Sequence, residues 1–521
     1  MVRRWFYFVS AGTLFLVAVM GMLWPPALAA LAVVGPLVGL GIYDVVQRRR
    51  TILRNFPILG HFRYGFEAIR PEIQQYFVES NIDAFPIERE MRSIVYRRAK
   101  GQLETQPFGT QRDVYRDGYE WAAHSLTDVA VLEEEPRIRV GGRECRHPYL
   151  ASRLNISAMS FGALSPTAVR ALALGAKKGG FSLNTGEGGI SPHHREGGAD
   201  LVWQIGTGYF GCRNADGTFD SGRFRAEAAA DQVRMIELKL SQGAKPGHGG
   251  ILPAPKVTPE IAAIRGLRPF ETVFSPPRHS AFAGPVGLLE FVARLRELSG
   301  GKPVGFKLSV GRRREVLSVC KAMRDTGIAP DFVTVDGGEG GTGAAPLEFA
   351  NSVGMPARDA WILVHNALRG AGLRDQVRLF ASGKIFTGFH MIRAMALGAD
   401  ACNSARGMML ALGCIQALRC NNDTCPTGIA TQNGALYRTL DVPDKSERVF
   451  RFHRETVHSF LELLAAMGLE GPEEISGSYL FRRISPETVK SFEELYEVLA
   501  DGALLNGSCP HEGWRADWEA A

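Results

Sequence analysis

The first fifty residues contain two almost wholly apolar runs, Trp5–Trp24 and Ala27–Val46, separated by two prolines. Each run is long enough for a helix to cross a hydrocarbon core of about 30 Å. Arginines flank the pair on both outer sides, at Arg3-Arg4 and at Arg48-Arg49-Arg50. Because positive residues stay on the cytoplasmic side, residues 1–50 are predicted to form a transmembrane hairpin. This hairpin would hold the rest of the chain at the cytoplasmic face of the inner membrane.

Two other interpretations fit the same pattern. Ala27-Leu28-Ala29 follows a basic start and an apolar stretch, which is typical of a signal-peptidase site and would make the first run a cleaved signal. A buried helical pair in a soluble protein is the second alternative. It is disfavoured because neither run has a polar face.

The segments at 51–150 and 441–521 show mainly helical periodicity. In the first, which mixes aromatic and charged residues, the pattern favours helices over Pro71–Ser80 and Glu88–Lys100. This segment is predicted to be a helical lead-in. In the second, the pattern favours helices over Glu447–Met467 and Pro486–Leu499, and the segment is predicted to be a helical cap.

Between residues 151 and 440 the pattern changes to short β-rich runs that end in glycine-rich loops and alternate with helical stretches. Alternating β and α units indicate a parallel sheet with helices outside it. Eight such runs fit a (β/α)₈ TIM barrel better than the alternative, a doubly wound sheet. The predicted strands are Leu154–Ala158, Gly180–Asn184, Leu201–Ile205, Met235–Leu240, Pro303–Leu308, Asp331–Val335, Val377–Ala381 and Ala399–Asn403. The predicted helices between them are Ser165–Lys178, Val286–Leu298, Arg312–Thr326 and Phe389–Leu397.

Composition narrows the class of protein. With 45% hydrophobic and 22% charged residues, the 521-residue chain has the balance of a globular protein. The net charge of +6 is small and its positive residues are dispersed, which argues against nucleic-acid binding. The eight cysteines show no disulfide framework, in agreement with a reducing compartment.

Three of the eight cysteines, Cys414, Cys420 and Cys425, fall within twelve residues. One short loop could therefore present three thiolates to an inorganic centre, and thiolates are the ligands of iron–sulfur clusters. Incidental buried cysteines are one alternative. Zinc is another, but a structural zinc site needs a fourth ligand, and no further Cys or His lies close by. We interpret the run as a cluster site that transfers electrons.

Several loops at predicted strand ends suit an anionic cofactor. Barrels bind phosphate at the loops after strands seven and eight, which here carry Ser382-Gly383-Lys384 and Ser404-Ala405-Arg406-Gly407. Glycine exposes backbone N–H groups and the two cations add charge. A further glycine-rich loop, residues 336–343, follows strand six. Lys307, at the end of strand five, could place positive charge against a flavin, or could form only a salt bridge.

The region from about 150 to 434 resembles the FMN-binding synthase domain of the glutamate synthase family. The motifs that carry the resemblance are Met159–Ser165, Asn184–Gly189, Gln242–Gly247, Ser275-Pro276-Pro277, Gly340–Ala344 and the cysteine run continued to Gln432. The resemblance implies a (β/α)₈ barrel that holds FMN and a [3Fe–4S] cluster. It also implies reduction of 2-iminoglutarate, formed from 2-oxoglutarate and ammonia, to L-glutamate.

The resemblance also implies roles for individual residues. Cys414, Cys420 and Cys425 would ligate the cluster, and Glu187 and Lys245 would be catalytic and line the substrate site. Arg265 is the candidate clamp for a substrate carboxylate, because arginine binds carboxylates in a bidentate manner; a solvated helix residue is the alternative. The implied FMN-binding set is Met159, Ser160, Lys307, Gly340, Gly341, Thr342, Ser382, Gly383, Lys384, Ala405 and Arg406.

The chain departs from the family pattern in several respects. It lacks the N-terminal catalytic cysteine of a glutaminase and, outside the predicted barrel, a Gly-x-Gly-x-x-Gly reductase module, and it has Ile190 and His248 where a carboxylate is expected. The leading hypothesis is a membrane-tethered synthase supplied with electrons by a ferredoxin-like protein or a membrane carrier. An amino-acid oxidoreductase working on another substrate or in reverse is the alternative, and a non-catalytic membrane scaffold is a third. The sequence also allows a homo-oligomer.

Overall fold

The N-terminal unit of the computed structural model, which ends at Arg89, is helical. The structure describes residues 2–127 and 129–521. The helices of this unit are α1 (Val2–Leu23), α2 (Leu31–Val46), α3 (Thr51–Asn55) and α4 (Leu59–Ile73), with a 3-10 turn at Pro25–Ala30 and a π-turn at Gln74–Val78. Helix was predicted over Pro71–Ser80, but it starts earlier, because the apolar periodicity extends back to Leu59.

The first two apolar segments are exposed along most of their length. Val2–Leu23 and Pro25–Val46 each contain 22 residues, with mean hydropathies of 2.0 and 1.9. Only 11% and 17% of the residues in the most apolar stretch of each segment are buried. Such exposure is not that of a core helix pair in a soluble protein. By length and composition both segments could cross a membrane, and their position also fits a signal sequence.

The second unit, Glu90–Ala521, is built around a closed barrel of eight parallel strands, as predicted. In barrel order these strands are β4 (Leu154–Ile156), β5 (Leu183–Asn184), β6 (Leu201–Ile205), β7 (Val233–Lys239), β10 (Val304–Leu308), β11 (Phe332–Asp336), β12 (Arg378–Ser382) and β13 (Ala401–Ser404). All eight predicted runs overlap these strands. The remaining strands are β1 (Glu120–Ala122), β2 (Ile138–Val140), β3 (Tyr149–Ala151), β8 (Ile251–Leu252), β9 (Val273–Phe274), β14 (Leu480–Ser485) and β15 (Thr488–Ser491).

The helices around the barrel begin and end at local signals. The Ser165 hydroxyl accepts a hydrogen bond from the N–H of Ala168 at 3.2 Å, and Gly180 closes the same helix at φ 65°, where a side chain would be strained. The longer helices are α5 (Arg89–Lys100), α6 (Pro166–Gly179), α8 (Ser221–Ala228), α10 (Gly284–Leu298), α11 (Arg313–Thr326), α13 (Ala357–Gly370), α14 (Gly388–Ala396), α17 (Val442–Ala466) and α19 (Glu512–Ala520). The shorter ones are α7 (Pro192–Glu196), α9 (Pro259–Arg265), α12 (Leu347–Ser352), α15 (Arg406–Leu412), α16 (Gly434–Tyr437) and α18 (Phe492–Leu495).

The amino-terminal end of the barrel is closed by the hairpin of β2 and β3. Its inward residues, among them Val140 and Ala151, form one buried cluster with residues near the starts of the barrel strands, such as Phe332 and Ala401. This apolar floor leaves the carboxyl ends of the strands as the open face, which is where barrel enzymes place their sites.

The C-terminal segment combines the predicted helix with a small sheet. Helix α17 covers Glu447–Met467 almost completely, and it packs on α6. The helix predicted at Pro486–Leu499 is wrong: β15 and the single turn α18 occupy these residues. Pairing overrides the local helical pattern, because β15 pairs with β14, and β14 pairs with the distant β1.

Candidate functional site

An open cavity lies at the carboxyl end of the barrel. The loops after β4, β11, β12 and β13 and the end of β10 all contribute to its wall. The lining residues are Ser157, Ala158, Lys307, Asp336, Gly340, Gly341, Ser382, Gly383, Lys384, Ile385, Phe386, Ser404, Ala405, Arg406 and Gly407. The fold therefore brings five separate loops and strand ends to one concave site.

Most of the residues predicted to bind a cofactor line this cavity, and three do not. Those in the lining are Lys307, Gly340, Gly341, Ser382, Gly383, Lys384, Ala405 and Arg406. Met159 and Ser160 instead continue the loop after Ala158 and pack against Gly186, where an added Cβ would lie 2.5 Å from the Ser160 nitrogen. Thr342 is exposed, and its hydroxyl donates to the Ala344 carbonyl at 3.3 Å.

Buried cations dominate the electrostatics of the cavity. The Lys307 ammonium lies 3.3 Å from the Asp336 carboxylate, and both side chains are less than a tenth exposed. Arg406 donates to the Glu339 carbonyl at 2.7 Å. Burial lowers the pKa of Arg406, although the nearby charges of Asp336 and Glu339 oppose that change. A bound anion would offset the cost of holding these cations away from water.

The glycines of the cavity allow close approach to the backbone. A Cβ on Gly341 would meet the Arg406 side chain at 3.0 Å, and one on Gly407 would meet the Ser404 hydroxyl at 2.5 Å. Gly383 has φ 138°, which a side chain would strain. Glycine backbone together with Lys307, Lys384 and Arg406 fits a phosphate-bearing cofactor such as FMN.

A second set of ionised side chains, which we call the charged group, consists of Glu187, Lys239, Lys245 and Arg265. Lys239 lies 2.9 Å from a Glu187 carboxylate oxygen, with both side chains largely buried. The neighbouring glycines leave room for this carboxylate: a Cβ on Gly250 would lie 2.3 Å from it. Glu187 also interacts electrostatically with Arg265 and Lys245. The structure thus brings the three predicted substrate residues together around a lysine that was not predicted.

Lys239 was missed because a cation at a strand end is usually a solvated residue. The signal that identifies it appears only once the strands are paired. Lys239 is the last residue of β7, and Lys307 is the last but one of β10. The two residues lie directly opposite each other in these paired strands. Two paired lysines at the carboxyl edge of a barrel carry like charges side by side, which needs a nearby anion.

The pKa values within the charged group follow from burial and from neighbouring charges. Burial would raise the pKa of Glu187, but Lys239, Arg265 and Lys245 hold it below its usual value, so the carboxylate is ionised. Burial and the like charge of Lys239 lower the pKa of Lys245 to about 8, against the attraction of Glu187. Burial lowers the pKa of Arg265 to about 10, opposed again by Glu187. Lys245 is therefore the member that changes charge near neutral pH.

Arg265 is buried rather than solvated. Its terminal nitrogen donates to the Phe161 carbonyl at 2.9 Å, and its guanidinium lies over the Phe210 ring at 5.1 Å from the centroid. The Nε atom is buried and has no hydrogen-bond partner. An unsatisfied donor on a buried guanidinium is costly, which makes this nitrogen a place where a ligand oxygen would be stabilised.

The charged group adjoins the cavity. Lys245 donates to the Ala344 carbonyl at 2.6 Å, and the Gly243 N–H donates to the cavity-lining Asp336 at 3.0 Å. The loop that carries Lys245 is therefore bound to the loop after β11. His279 lies beside the group: its Nε2 donates to the Lys239 carbonyl at 2.8 Å, and its Nδ1 lies 3.1 Å from the Tyr209 hydroxyl oxygen. Burial lowers its pKa to about 4, so it is neutral at pH 7.

Of the two positions that depart from the family pattern, His248 lies on the loop that carries Lys245, and Ile190 lies three residues after Glu187. His248 contacts the carbonyl of Gly249 through Nδ1 at 2.9 Å and packs edge-on against the Phe349 ring. Ile190 is buried, with 8% exposure. An imidazole and an apolar side chain thus occupy places where a carboxylate would add negative charge.

The cysteine loop places its three thiols in one polar neighbourhood. Burial, together with the nearby Cys420 and Cys425 thiols, raises the pKa of Cys414 to about 11, against a hydrogen bond from the Gln416 N–H. Burial would also raise the pKa of Cys425, but the Thr427 hydroxyl and the backbone N–H groups of Thr427, Ile429 and Ala430 lower it. Hydrogen bonds to sulfur are one of the features that stabilise and tune iron–sulfur clusters.

Among residues 2–127 and 129–521, no three metal-ligating side chains converge on the position of a single ion. The chemistry of the loop still fits a polynuclear cluster: three free thiols, amide donors to sulfur, and a buried cation nearby. That cation is Lys256, which donates to the carbonyls of Cys420 and Ala163, each at 3.0 Å. It therefore joins the cysteine loop to the loop that contains Ser160.

Comparison with known proteins agrees with this geometry. A family model described as the conserved region in glutamate synthase matches residues 102–470. The glutamate synthase large subunit-like protein YerD of Bacillus subtilis is 36% identical over 494 residues, covering 87% of this chain and 94% of that protein.

Two further relatives are matched over less of their length. The archaeal glutamate synthase (NADPH) of Methanocaldococcus jannaschii is 35% identical over 63% of this chain and 61% of its own length. The glutamate synthase (NADPH) large chain of Bacillus subtilis is 33% identical over 63% of this chain, but only 21% of that protein is covered.

Proposed function

This chain belongs to the glutamate synthase family, and from that premise we propose that it reduces 2-iminoglutarate, formed from 2-oxoglutarate and ammonia, to L-glutamate. Family membership makes the protein a glutamate synthase-like oxidoreductase. The observation that carries the specific reaction is the charged group beside the cavity. It combines three cations with one carboxylate, so its formal charge matches a dicarboxylate substrate.

Two cofactors belong to this proposal. FMN would be held by Lys307, the Ser382–Lys384 loop and Arg406, and a [3Fe–4S] cluster by Cys414, Cys420 and Cys425. When bound, the cluster would transfer single electrons and the flavin would supply a hydride equivalent.

The chain's own residues bind and orient the substrate in this scheme. Arg265 and protonated Lys245 would bind substrate carboxylates, since buried cations bind carboxylates more strongly than exposed ones do. Glu187, ionised beside Lys239, would accept a hydrogen bond from the substrate nitrogen and favour its protonated, electrophilic form. Lys239 acts as a positioning residue, because it fixes the Glu187 carboxylate.

The test of the proposed function is a single-turnover experiment on the purified full-length protein. The protein is reduced with dithionite, excess reductant is removed, and 2-oxoglutarate with ¹⁵N-ammonium is added. We expect ¹⁵N-glutamate, and flavin reoxidation only when both substrates are present. Flavin that stays reduced in the presence of both substrates would contradict glutamate formation. The protein would then remain an oxidoreductase, but one that acts on a different substrate.

Replacing Arg406 should weaken flavin binding. Arg406→Met removes a buried cation from the cavity and its bond to the Glu339 carbonyl. Since a hydrogen bond to a charged group contributes about 1.5–3 kcal/mol, we expect flavin affinity to fall roughly 10- to 100-fold. Flavin fluorescence titration of the apoprotein measures this, with the exposed Arg438→Met as the matched control. Equal affinities in the two variants would contradict the assignment of Arg406.

The pH profile should show the titration of Lys245. Its pKa of about 8 means that the ammonium is present below pH 8 and lost above it. If it binds a carboxylate, kcat/KM for 2-oxoglutarate should fall about tenfold for each pH unit above 8. Lys245→Arg, which stays charged, should extend the plateau to higher pH. The same alkaline limb in both proteins would mean that another group titrates.

A second candidate function is oxidation of an amino acid, with electrons passed towards a membrane carrier. The observation that favours it is the pair of exposed apolar helices at the N-terminus, α1 and α2. The measurement is turnover in each direction with artificial donors and acceptors. Amino-acid oxidation without detectable iminoglutarate reduction would favour this candidate over the synthase.

We also propose that α1 and α2 anchor the protein as a hairpin in the inner membrane, with the barrel in the cytoplasm. Arginines at both outer ends of the hairpin support this orientation. The electron donor under either function would be a ferredoxin-like protein or a membrane carrier.

A further inference from the structure

Helix α4 exposes a continuous apolar stripe. Leu59, Phe62, Phe66, Ile69 and Ile73 follow one another at spacings of three and four residues, which places them on one helix face. Their exposed fractions run from 38% for Ile73 to 64% for Phe66. Five large apolar side chains on one exposed helix face mark an interaction surface rather than scattered surface residues.

The start of α4 is fixed to the end of α2. Asp44, in the last turn of α2, is fully buried. Its carboxylate accepts a hydrogen bond from the Ile58 N–H at 2.9 Å and contacts His61 Nε2 at 2.9 Å. One turn further along, the Arg50 guanidinium lies over the Tyr64 ring, 4.8 Å from its centroid. The apolar stripe therefore begins where the second apolar helix ends.

Helix α4 does not pack along the hairpin of α1 and α2. It packs against α3, and neither α1 nor α2 forms an extended contact with it. With 15 residues it is also shorter than a membrane span. An amphipathic helix of this kind at the end of a spanning helix is suited to the interface between lipid headgroups and acyl chains.

The charges around the stripe favour an anionic surface. The connection from α2 to α3 contains Arg48, Arg49 and Arg50, and Arg63 and Arg70 lie on α4 itself. All five are outside the apolar stripe. Clustered arginines next to a membrane segment are attracted to anionic lipid headgroups.

We propose that α4 is an interfacial membrane helix that lies in the anionic headgroup region of the leaflet at the end of α2, with its apolar stripe toward the acyl chains. This inference rests on the proposed hairpin but not on the catalytic function. It adds a second attachment surface, so the protein meets the bilayer through a spanning pair and through a helix in the membrane plane.

Photocrosslinking in the full-length chain tests the proposal. The photoreactive residue p-benzoylphenylalanine replaces Phe66 on the stripe, Glu67 on the opposite side, or Phe15 in α1, in three separate proteins. Each is reconstituted into vesicles that contain phosphatidylglycerol, irradiated, and analysed by mass spectrometry for lipid adducts. We expect adducts at position 15, and roughly fivefold more at 66 than at 67.

Each of the other outcomes would overturn a specific part of the proposal. Adducts at 15 with equal yields at 66 and 67 would reject the interfacial helix and keep the hairpin. Crosslinked dimers from position 66 would show that a second copy of the chain covers the stripe, and this result would also reject the interfacial helix. Absence of adducts at 15 would reject the hairpin on which the inference rests.

A pair of conventional variants gives an independent readout. Phe62→Ser/Phe66→Ser removes apolar area from exposed positions, so folding of the unit should be unaffected. In vesicles, amide hydrogen exchange over residues 59–73 should be roughly tenfold faster than in the native protein, whereas Glu67→Ser should leave it unchanged. Unchanged exchange in the double variant would contradict the proposal.

Discussion

Replacing Glu187 by glutamine should lower the rate of glutamate formation by about 10³-fold, with little change in KM for 2-oxoglutarate. Glutamine keeps the shape of the side chain but removes the carboxylate that lies 2.9 Å from Lys239. The cations that would bind the substrate remain, so binding is retained. The negative charge that would favour the protonated substrate nitrogen is lost, and its effect belongs to the chemical step.

The same substitution should also move the alkaline limb of the pH profile. Glu187 raises the pKa of Lys245, whereas burial and Lys239 lower it to about 8. Without Glu187 the pKa of Lys245 should fall further, so activity should decline at lower pH than in the native enzyme. A shift of the limb to higher pH would contradict this account of the charged group.

The measurement is steady-state turnover with an artificial electron donor, from pH 6 to pH 10. Glu260→Gln is the matched control, because Glu260 is an exposed glutamate whose carboxylate contacts His193 Nε2 at 2.9 Å. We expect native rates for the control. If Glu187→Gln keeps more than about a tenth of native kcat, the proposed catalytic role of Glu187 is wrong.

Replacing Cys420 by serine should remove the iron and inorganic sulfide while most of the flavin remains. A serine hydroxyl is a poor substitute for a thiolate ligand. The flavin should stay because most of its proposed residues follow other strands, and helix α15 separates Arg406 from the cysteine loop. The fold should also persist, because the contact of Lys256 with residue 420 is made by the backbone carbonyl.

Iron, sulfide and flavin are quantified on one sample of each protein, and electron paramagnetic resonance reports on the cluster. Cys145→Ser is the matched control: Cys145 is buried and donates to the Gly301 carbonyl at 3.4 Å, a bond that serine can also make. Iron content that is unchanged in Cys420→Ser would remove that residue from the ligand set. Loss of iron in both variants would indicate general destabilisation.

The barrel could be predicted from the sequence because its strands are local features. Each is a short buried run followed by a loop that contains glycine, and such runs alternate with amphipathic helices. The run at Leu201–Ile205 matches β6 residue for residue. Once the strands are placed, the loops that follow them must meet at one face, so most of the cavity lining could be predicted as well.

Features that depend on distant partners could not be predicted. Lys239 acquires its role only when Glu187, on another loop, folds against it. Strand β15 forms in a segment with a helical pattern because β14 is already paired with β1, more than 350 residues earlier in the chain. Long-range pairing of this kind leaves no periodic signal near the residues that it affects.

The contacts of Lys256 have a consequence for how the protein is assembled. One buried ammonium donates hydrogen bonds to both the Cys420 and the Ala163 carbonyls, so the positions of the two loops are coupled. Ordering either loop therefore lowers the entropic cost of ordering the other. By thermodynamic linkage, loading one prosthetic group should tighten the retention of the second by the same factor. Maturation of the two sites would then be cooperative, and a chain that lacks the cluster would hold its flavin less tightly without losing most of it.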